Sequence, residues 1–97
     1  MLTSKQRAYL RSLSNKLETI FQIGKSGITP ELVETVDKAL EARELVKLRV
    51  LDASLLSATD AASTVSGRTR SEIVQVIGTR FVLYRCSKKK PVIELPK

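Results

Sequence analysis

Residues 18–30 are ETIFQIGKSGITP, and they predict a strand, a tight turn and the start of a helix. The β-branched and aromatic residues before the first glycine are typical of a short strand. Gly24 and Gly27 then bracket a four-residue turn, because glycine adopts backbone angles that other residues avoid. Thr29 is a preferred N-cap residue, and Pro30 is favoured at the first helical position. The chain therefore passes from a strand through a short loop directly into a helix.

The spacing of apolar residues extends this pattern along the chain. It predicts helices at 3–15, 30–44 and 58–66, with Gly67 ending the third. It predicts strands at 18–23, 45–51, 73–77 and 80–86. Gly78 and Thr79 separate the last two strands as a hairpin turn would, and the strand–helix–strand units favour parallel pairing. The predicted fold class is α/β (α+β), a single α-β-α-β-α-β-β domain whose small four-stranded mixed sheet is packed with helices.

Length and composition allow one domain with an aliphatic core. The chain has 97 residues, of which 42% are apolar, and it contains no Trp. We assign residues 1–87 to the domain and 88–97 to a basic C-terminal tail, in which 92–95 form either a frayed edge strand or part of the tail. No apolar run approaches the ~18 residues of a membrane span, and no signal-peptide core follows the start. We expect a cytoplasmic, monomeric protein without a membrane partner.

Charge is distributed unevenly along the sequence. Seventeen Lys and Arg residues against 10 Asp and Glu residues give a net charge of +7. The first 17 residues contain no acid and four bases, which are Lys5, Arg7, Arg11 and Lys16. Residues 31–44 instead carry five acids and two bases. A small basic domain is typical of proteins that bind polyanions, nucleic acid before membranes. The outer face of the acidic helix is expected to point away from the bound polyanion.

Missing residue types exclude several kinds of catalytic and metal site. The sequence has no His, and its lone Cys86 can form neither an intramolecular disulfide nor a cysteine cluster for zinc. Cys86 lies in an apolar run and is interpreted as a buried or half-buried side chain. Asp52 and Asp60 lie outside the acidic helix, but nothing in the sequence orders them around a nucleophile or a metal. We expect no catalytic residue, no metal, no cofactor and no small-molecule substrate.

The loop at 24–27 is the candidate binding site, and residue patterns alone do not decide what kind of loop it is. Thr19 and Gln22 stand where a nucleotide P-loop and a dinucleotide fingerprint need glycine. A backbone clamp of the GXXG kind used by KH domains is possible, although there the loop joins two helices. A plain strand-to-helix turn is the other alternative. The clamp is favoured by Lys25 and by the unpaired N–H groups expected at the start of the following helix.

Several linked motifs resemble one known family. In order, they are Leu2-Thr3, the basic first helix, 23–29, Ala39-Leu40, 44–47 and 76–85. Together they resemble, over residues 2–86, the CRM (chloroplast RNA splicing and ribosome maturation) domain in the short stand-alone form of the bacterial YhbY family. One departure is Thr79, where the family usually has Lys or Arg after the hairpin glycine.

The resemblance implies an RNA-binding domain similar in fold to the C-terminal domain of a bacterial translation initiation factor. It also implies that the partner is ribosomal RNA or a precursor particle of the large ribosomal subunit. It maps the family's loop onto Gly24, Lys25, Ser26 and Gly27. The predicted function is therefore non-catalytic RNA binding during ribosome assembly through a GxxG backbone clamp. The alternative is a protein-interaction module that uses the acidic helix 31–44.

Other basic residues are candidates for RNA contacts on the strength of their charge. Lys5, Arg7 and Arg11 come next after the loop, because no acid accompanies them on their helix. Arg85 ranks last, because a strand residue could instead lie over the sheet. Phe81 and Tyr84 could stack on bases, but core packing is favoured. Such phosphate contacts position RNA without specifying its sequence, so the domain is expected to recognise backbone and shape.

Overall fold

The computed structural model describes residues 2–52, 54–89 and 91–96, and its helices and strands follow the predicted order. They are α1 Ser4–Ser14, β1 Phe21–Ile23, α2 Pro30–Arg43, β2 Leu45–Val50, α3 Ala58–Thr69, β3 Glu72–Ile77 and β4 Arg80–Tyr84. The predicted α+β class is confirmed. None of the described helices is long and apolar enough to cross a membrane.

The four strands form one mixed sheet in the order β1-β2-β4-β3. β1 is parallel to β2, to which α2 connects it, and β4 is antiparallel to both of its neighbours. The parallel pairing predicted for the first strand–helix–strand unit and the closing hairpin are both present. The parallel pairing predicted for the second unit, β2 with β3, is absent, because β4 inserts between them. The edge strand β3 also contains a β-bulge between Ile73 and Gln75, where its pairing with β4 shifts by one residue.

Helices cover the two faces of the sheet unequally. On the first face, α2 and α3 pack over a core formed mainly by Ile23, Val36, Leu40, Val46, Leu48, Val50, Ala61, Val65, Phe81 and Leu83. On the second face, α1 packs over a smaller core formed by Leu10, Leu45, Val74, Val82 and Tyr84. Leu10 is fully buried, and truncating such a leucine to alanine costs about 2–5 kcal/mol. Burial of this one side chain therefore contributes much of what holds α1 on the sheet.

Each helix begins at the cap that the sequence provides. Thr3 and Gln6 form a reciprocal capping box, with N···O distances of 3.0 and 3.1 Å. Thr29 accepts from the Leu32 N–H at 3.1 Å, and Ser57 caps α3 in the same way. These bonds satisfy amide groups that have no partner within the helix.

Element ends differ from the predictions in several places. β1 begins at Phe21 rather than at residue 18: its register with β2 runs from Phe21 opposite Leu48 to Ile23 opposite Val50, preceded by one hydrogen bond from the Ile20 N–H to the Lys47 carbonyl oxygen. β2 stops at Val50 and β4 at Tyr84, each short of the predicted end. α3 continues through Gly67 to Thr69 and ends at Arg70, whose left-handed φ of 56° makes the reversal expected of the glycine.

The prediction that Cys86 is buried is wrong. Cys86 is exposed, because the strand pattern that would have buried it ends two residues earlier, at Tyr84. Beyond Tyr84 the chain turns toward the end of α2, where Ser87 is buried instead.

Two glutamates of α2 and its C-cap bind the backbone of the C-terminal segment. The carboxylate of Glu44 accepts from the N–H groups of Ser87 at 2.7 Å and of Val92 and Ile93 at 2.6 Å each. The carboxylate of Glu41 accepts from the Ser87 hydroxyl at 2.5 Å and from the Lys88 N–H at 3.0 Å. Ser87, Lys88, Val92 and Ile93 are therefore held on the domain by charge-assisted hydrogen bonds.

The same segment completes the second core. Residues 91–96 form neither helix nor strand, so of the two alternatives for 92–95 the edge strand is absent. Ile93 and Leu95 nevertheless pack against the cluster beneath α1, and Gln6 donates to the carbonyl oxygen of Pro96 at 3.2 Å. The domain boundary at residue 87 stays a prediction, but the described part of the tail packs on the domain.

Hydrogen bonding decides the charge state of Glu44. Burial of its side chain would raise its pKa, but the N–H groups of Ile93, Ser87 and Val92 outweigh burial and hold the pKa below its usual 4.5. A carboxyl whose pKa is lowered in the folded state stabilises that state above the unfolded pKa and loses this contribution as the pH falls. The attachment of the C-terminal segment is therefore sensitive to acid.

We expect the free energy of unfolding to fall as the pH is lowered through about 4.5 toward 3. Glu44→Gln should cost about 1–3 kcal/mol at pH 7, because a neutral amide cannot accept as strongly from three N–H groups. It should also flatten the dependence of stability on pH below 5. Denaturant unfolding between pH 3 and 7 measures both effects. Glu34→Gln, at an exposed ion pair of α2, is the control, and parallel pH curves for wild type and Glu44→Gln would contradict this account.

Candidate nucleic-acid interface

The loop after β1 is a closed turn with its polar side chains at the tip. The Gly27 N–H donates to the carbonyl oxygen of Gly24 at 3.0 Å, and Gly27 has a φ of 69° that favours glycine. Lys25 and Ser26 occupy the two central positions and are exposed. The loop therefore presents one ammonium, one hydroxyl and open backbone to the outside.

Gly24 is not required by the fold itself. A Cβ built at this position would lie 3.7 Å from Leu51 Cδ1, an ordinary van der Waals distance, and φ is not in the left-handed region. Gly27 is therefore the glycine that the turn needs, whereas the fold could accommodate a Cβ at Gly24.

The start of α2 offers fewer free N–H groups than the sequence suggested. Pro30 has none, and the Leu32 N–H is bound by the Thr29 hydroxyl at 3.1 Å. Glu31 also places a carboxylate in the first turn, which offsets the positive end of the helix dipole. Any anion at this site is therefore bound mainly by the loop.

The basic residues of α1 lie elsewhere on the sheet. Lys5 and Arg11 are exposed, whereas Arg7 is half-buried and donates through Nη1 to the carbonyl oxygen of Ile73 on β3. The strand order and register place Ile73 three strands away from the loop across the sheet and four residues away along the strand direction. That separation is about 20 Å in the plane of the sheet. The loop and the first turns of α1 are therefore two separate positions.

Arg85 lies apart from both positions and is engaged within the fold. Its Nη1 is 2.5 Å from Asp37 Oδ1 and 2.8 Å from the carbonyl oxygen of Thr69. Its Nη2 lies 3.0 Å from the Asp37 carbonyl oxygen. The guanidinium thus joins α2 to the end of α3, and an RNA contact by Arg85 stays a prediction that its placement does not favour.

Basic side chains on the second face were missed as site candidates. The register aligns Gln22, Arg49, Arg80 and Ile77 as one row across all four strands, and all four are exposed. Lys47 follows on β2, with Nζ 3.4 Å from the carbonyl oxygen of Ser14 at the end of α1. The available signal was the alternation of β2, which puts Lys47 and Arg49 on the face opposite Val46, Leu48 and Val50.

The aromatic residues considered for base stacking belong to the cores. Phe81 is 1% exposed and Tyr84 is 5% exposed, and burial raises the pKa of Tyr84 to about 12. Their assignment to core packing is confirmed. Among the described residues, the loop and the row on the second face therefore offer positive charge and backbone, and the exposed aromatic nearest the basic residues of α1 in sequence is Tyr9.

Comparison with known proteins places the chain in one family. The family model of the CRS1 / YhbY (CRM) domain matches residues 2–85. The Bacillus subtilis protein named "Probable RNA-binding protein YqeI" is 44% identical over 96 residues, which cover 99% of this chain and 100% of that protein. A Haemophilus influenzae protein named "RNA-binding protein" is 30% identical, over 99% of this chain and 96% of its own length.

A solved structure supports the same assignment. The solution structure of SAV1595 from Staphylococcus aureus matches with a TM-score of 0.81 and 50% identity. It covers 99% of this chain and 100% of that protein. The resemblance seen in the sequence is confirmed, and the chain belongs to the CRS1/YhbY (CRM) domain family.

Proposed function

We propose that this protein binds RNA without catalysing a reaction on it, and that it associates with large-subunit ribosomal RNA during ribosome assembly. The observation that carries the proposal is the loop at 24–27. Lys25 and Ser26 stand exposed at its tip, between a glycine that the turn requires, Gly27, and one where the fold would tolerate a Cβ, Gly24. Backbone N–H groups and an ammonium are the donors that commonly bind phosphate oxygens.

Relatives and family support the two parts of the proposal differently. The names of the B. subtilis and H. influenzae relatives describe RNA-binding proteins, and they support RNA as the partner. The ribosomal part follows from the family resemblance, which links the stand-alone bacterial members to precursors of the large subunit. A net charge of +7 suits association with any long polyanion.

The alternative, a protein-interaction module using the acidic helix, is disfavoured by the contacts of α2. Asp37 pairs with Arg85, and Glu41 and Glu44 bind the C-terminal segment. Glu34 forms an ion pair with Lys38 at 3.2 Å. Most of the carboxylates of the acidic helix are therefore already paired within the chain, which leaves less negative charge for a protein partner.

Replacing Lys25 and Ser26 together by Asp should weaken RNA binding roughly tenfold or more at 0.1 M salt, because one phosphate contact is lost and two anions face the RNA. The melting temperature should change little, since both side chains are exposed. Fluorescence anisotropy with a labelled fragment of large-subunit ribosomal RNA measures the affinity. The control is Ser63→Asp with Arg68→Asp, the same charge change on exposed residues of α3. If both double variants lost RNA affinity equally, the loss would be an effect of net charge alone, and the loop would not be the binding site.

The two glycines of the loop should respond differently to alanine. Gly27→Ala should lower stability by about 1–2 kcal/mol, because its φ is left-handed. Gly24→Ala should leave stability unchanged and weaken RNA binding several-fold, because the added methyl stands where the backbone meets RNA. Thermal unfolding and anisotropy separate the two effects. Unchanged affinity in Gly24→Ala would remove this glycine from the contact surface.

Crosslinking in cells tests the ribosomal partner directly. Wild-type protein should crosslink mainly to large-subunit ribosomal RNA and its precursors, and the Lys25→Asp, Ser26→Asp variant should lose this enrichment. Crosslinks spread over cellular RNA in proportion to abundance would leave RNA binding intact but reject the ribosomal assignment.

A further inference from the structure

Two arginines stand directly opposite each other on neighbouring strands of the second face. Arg49 of β2 pairs in register with Arg80 of β4. The adjacent pair is hydrogen-bonded, since the Val50 N–H donates to the carbonyl oxygen of Thr79 at 2.7 Å. Antiparallel pairs alternate, so Arg49 and Arg80 form the non-hydrogen-bonded pair, with Cα atoms about 4.5 Å apart and side chains close together.

The part of the sheet that carries this pair is not covered by a helix. Lys47, on the same side of β2, lies under the last carbonyl groups of α1, and α1 ends there at Ser14. Arg49 is two residues further along β2, past the end of α1, and both arginines are exposed. The fold therefore displays the two guanidinium groups side by side on an open surface.

The pair has no counter-charge within the described chain. Among residues 2–52, 54–89 and 91–96, no carboxylate oxygen lies within 4.0 Å of either guanidinium. Three carboxylates of α2, those of Glu34, Asp37 and Glu41, are engaged with Lys38, Arg85 and the C-terminal segment. Like charges directly opposite on a sheet are destabilising, so this arrangement lowers the stability of the free protein. An anionic ligand would remove the repulsion.

The loop at 24–27 adjoins the same row. Ile23 pairs with Val50, so the loop begins beside the strand residue that follows Arg49. Arg80 is one strand further, which places β4 about 10 Å from β1 across the sheet. A single RNA backbone can therefore contact the loop and both arginines.

We propose that Arg49 and Arg80 form a phosphate-binding site for the RNA backbone, contiguous with the loop; this inference rests on the proposed function. Guanidinium groups bind phosphate oxygens in bidentate geometry. The flanking members of the row, Gln22 and Ile77, provide no aromatic surface for stacking. The site therefore holds the sugar–phosphate backbone and binds different sequences about equally.

The test is a salt titration of RNA affinity with a fluorescein-labelled hairpin from large-subunit ribosomal RNA. Arg49→Gln with Arg80→Gln should flatten the slope of log K against log salt by roughly 1.4–1.8 and weaken binding roughly 25- to 60-fold at 0.1 M salt. The melting temperature of the free protein should stay the same or rise, because a repulsion is removed. The matched control is Arg68→Gln with Arg70→Gln, which removes the same charge near the end of α3.

Each outcome decides the matter. An unchanged slope in the Arg49, Arg80 variant, with binding still lost in the Lys25→Asp, Ser26→Asp variant, overturns this site and leaves the proposed function standing. Equal flattening in the Arg68, Arg70 control also overturns it, since the effect would then be net charge alone. If wild-type protein fails to bind RNA, the proposed function and this site fall together. Should the double variant unfold, Arg80→Gln alone should still flatten the slope by roughly 0.7–0.9.

Discussion

The buried carboxylate of Glu44 is the constraint on which the rest of this fold depends. The residue is fully buried and has a φ of 65°, which reverses the chain between α2 and β2. Its N–H donates to Leu40 at 2.8 Å and its carbonyl oxygen accepts from Arg85 at 2.9 Å. Its carboxylate then holds three further N–H groups of the C-terminal segment. One residue thus joins the end of α2 and the end of β4 through its backbone, and the segment that closes the core under α1 through its carboxylate.

This arrangement also accounts for how charge is divided over the surface. Near the end of α2, the carboxylate of Asp37 pairs with Arg85. The carboxylates of Glu41 and Glu44 there accept hydrogen bonds from the C-terminal segment. The opposite end of the sheet carries Lys25, Arg49 and Arg80, and none of the three forms an ion pair within the described residues. The acidic residues that could have neutralised the basic surface are thus used to hold the fold together. A basic surface of this kind is suited to long-range attraction of RNA.

Local signals in the sequence were enough for most of the fold. The caps at Thr3 and Thr29, the turn glycines and the alternation in β2 depend on neighbouring residues, and the structure follows them. The family motifs identified the domain for the same reason. Gly67 misled because a glycine near a helix end is only a weak stop, and the left-handed residue proved to be Arg70. The burial of Cys86 was predicted wrongly because an apolar run does not reveal the residue at which strand pairing ends.

The remaining features depend on contacts between distant residues. In the sequence, Glu44 is indistinguishable from the solvent-exposed acids of the acidic helix, because its hydrogen-bond partners lie 43 to 49 positions further along the chain. The Arg49–Arg80 pair became visible only with the register of β2 on β4. The anchoring of Arg7 on Ile73 likewise requires knowing that α1 lies on the second face. Sequence patterns of one element cannot report such pairings.

The β-bulge in β3 has a consequence for solubility. β3 is an edge strand, and Val76 and Ile77 are 36% and 62% exposed. An exposed apolar edge invites a second chain to add a strand and begin aggregation. The extra residue between Ile73 and Gln75 breaks the regular spacing of hydrogen-bonding groups and increases the local twist. Regular spacing is therefore left only over Gln75, Val76 and Ile77, which limits the length along which a second chain could add a strand to this edge.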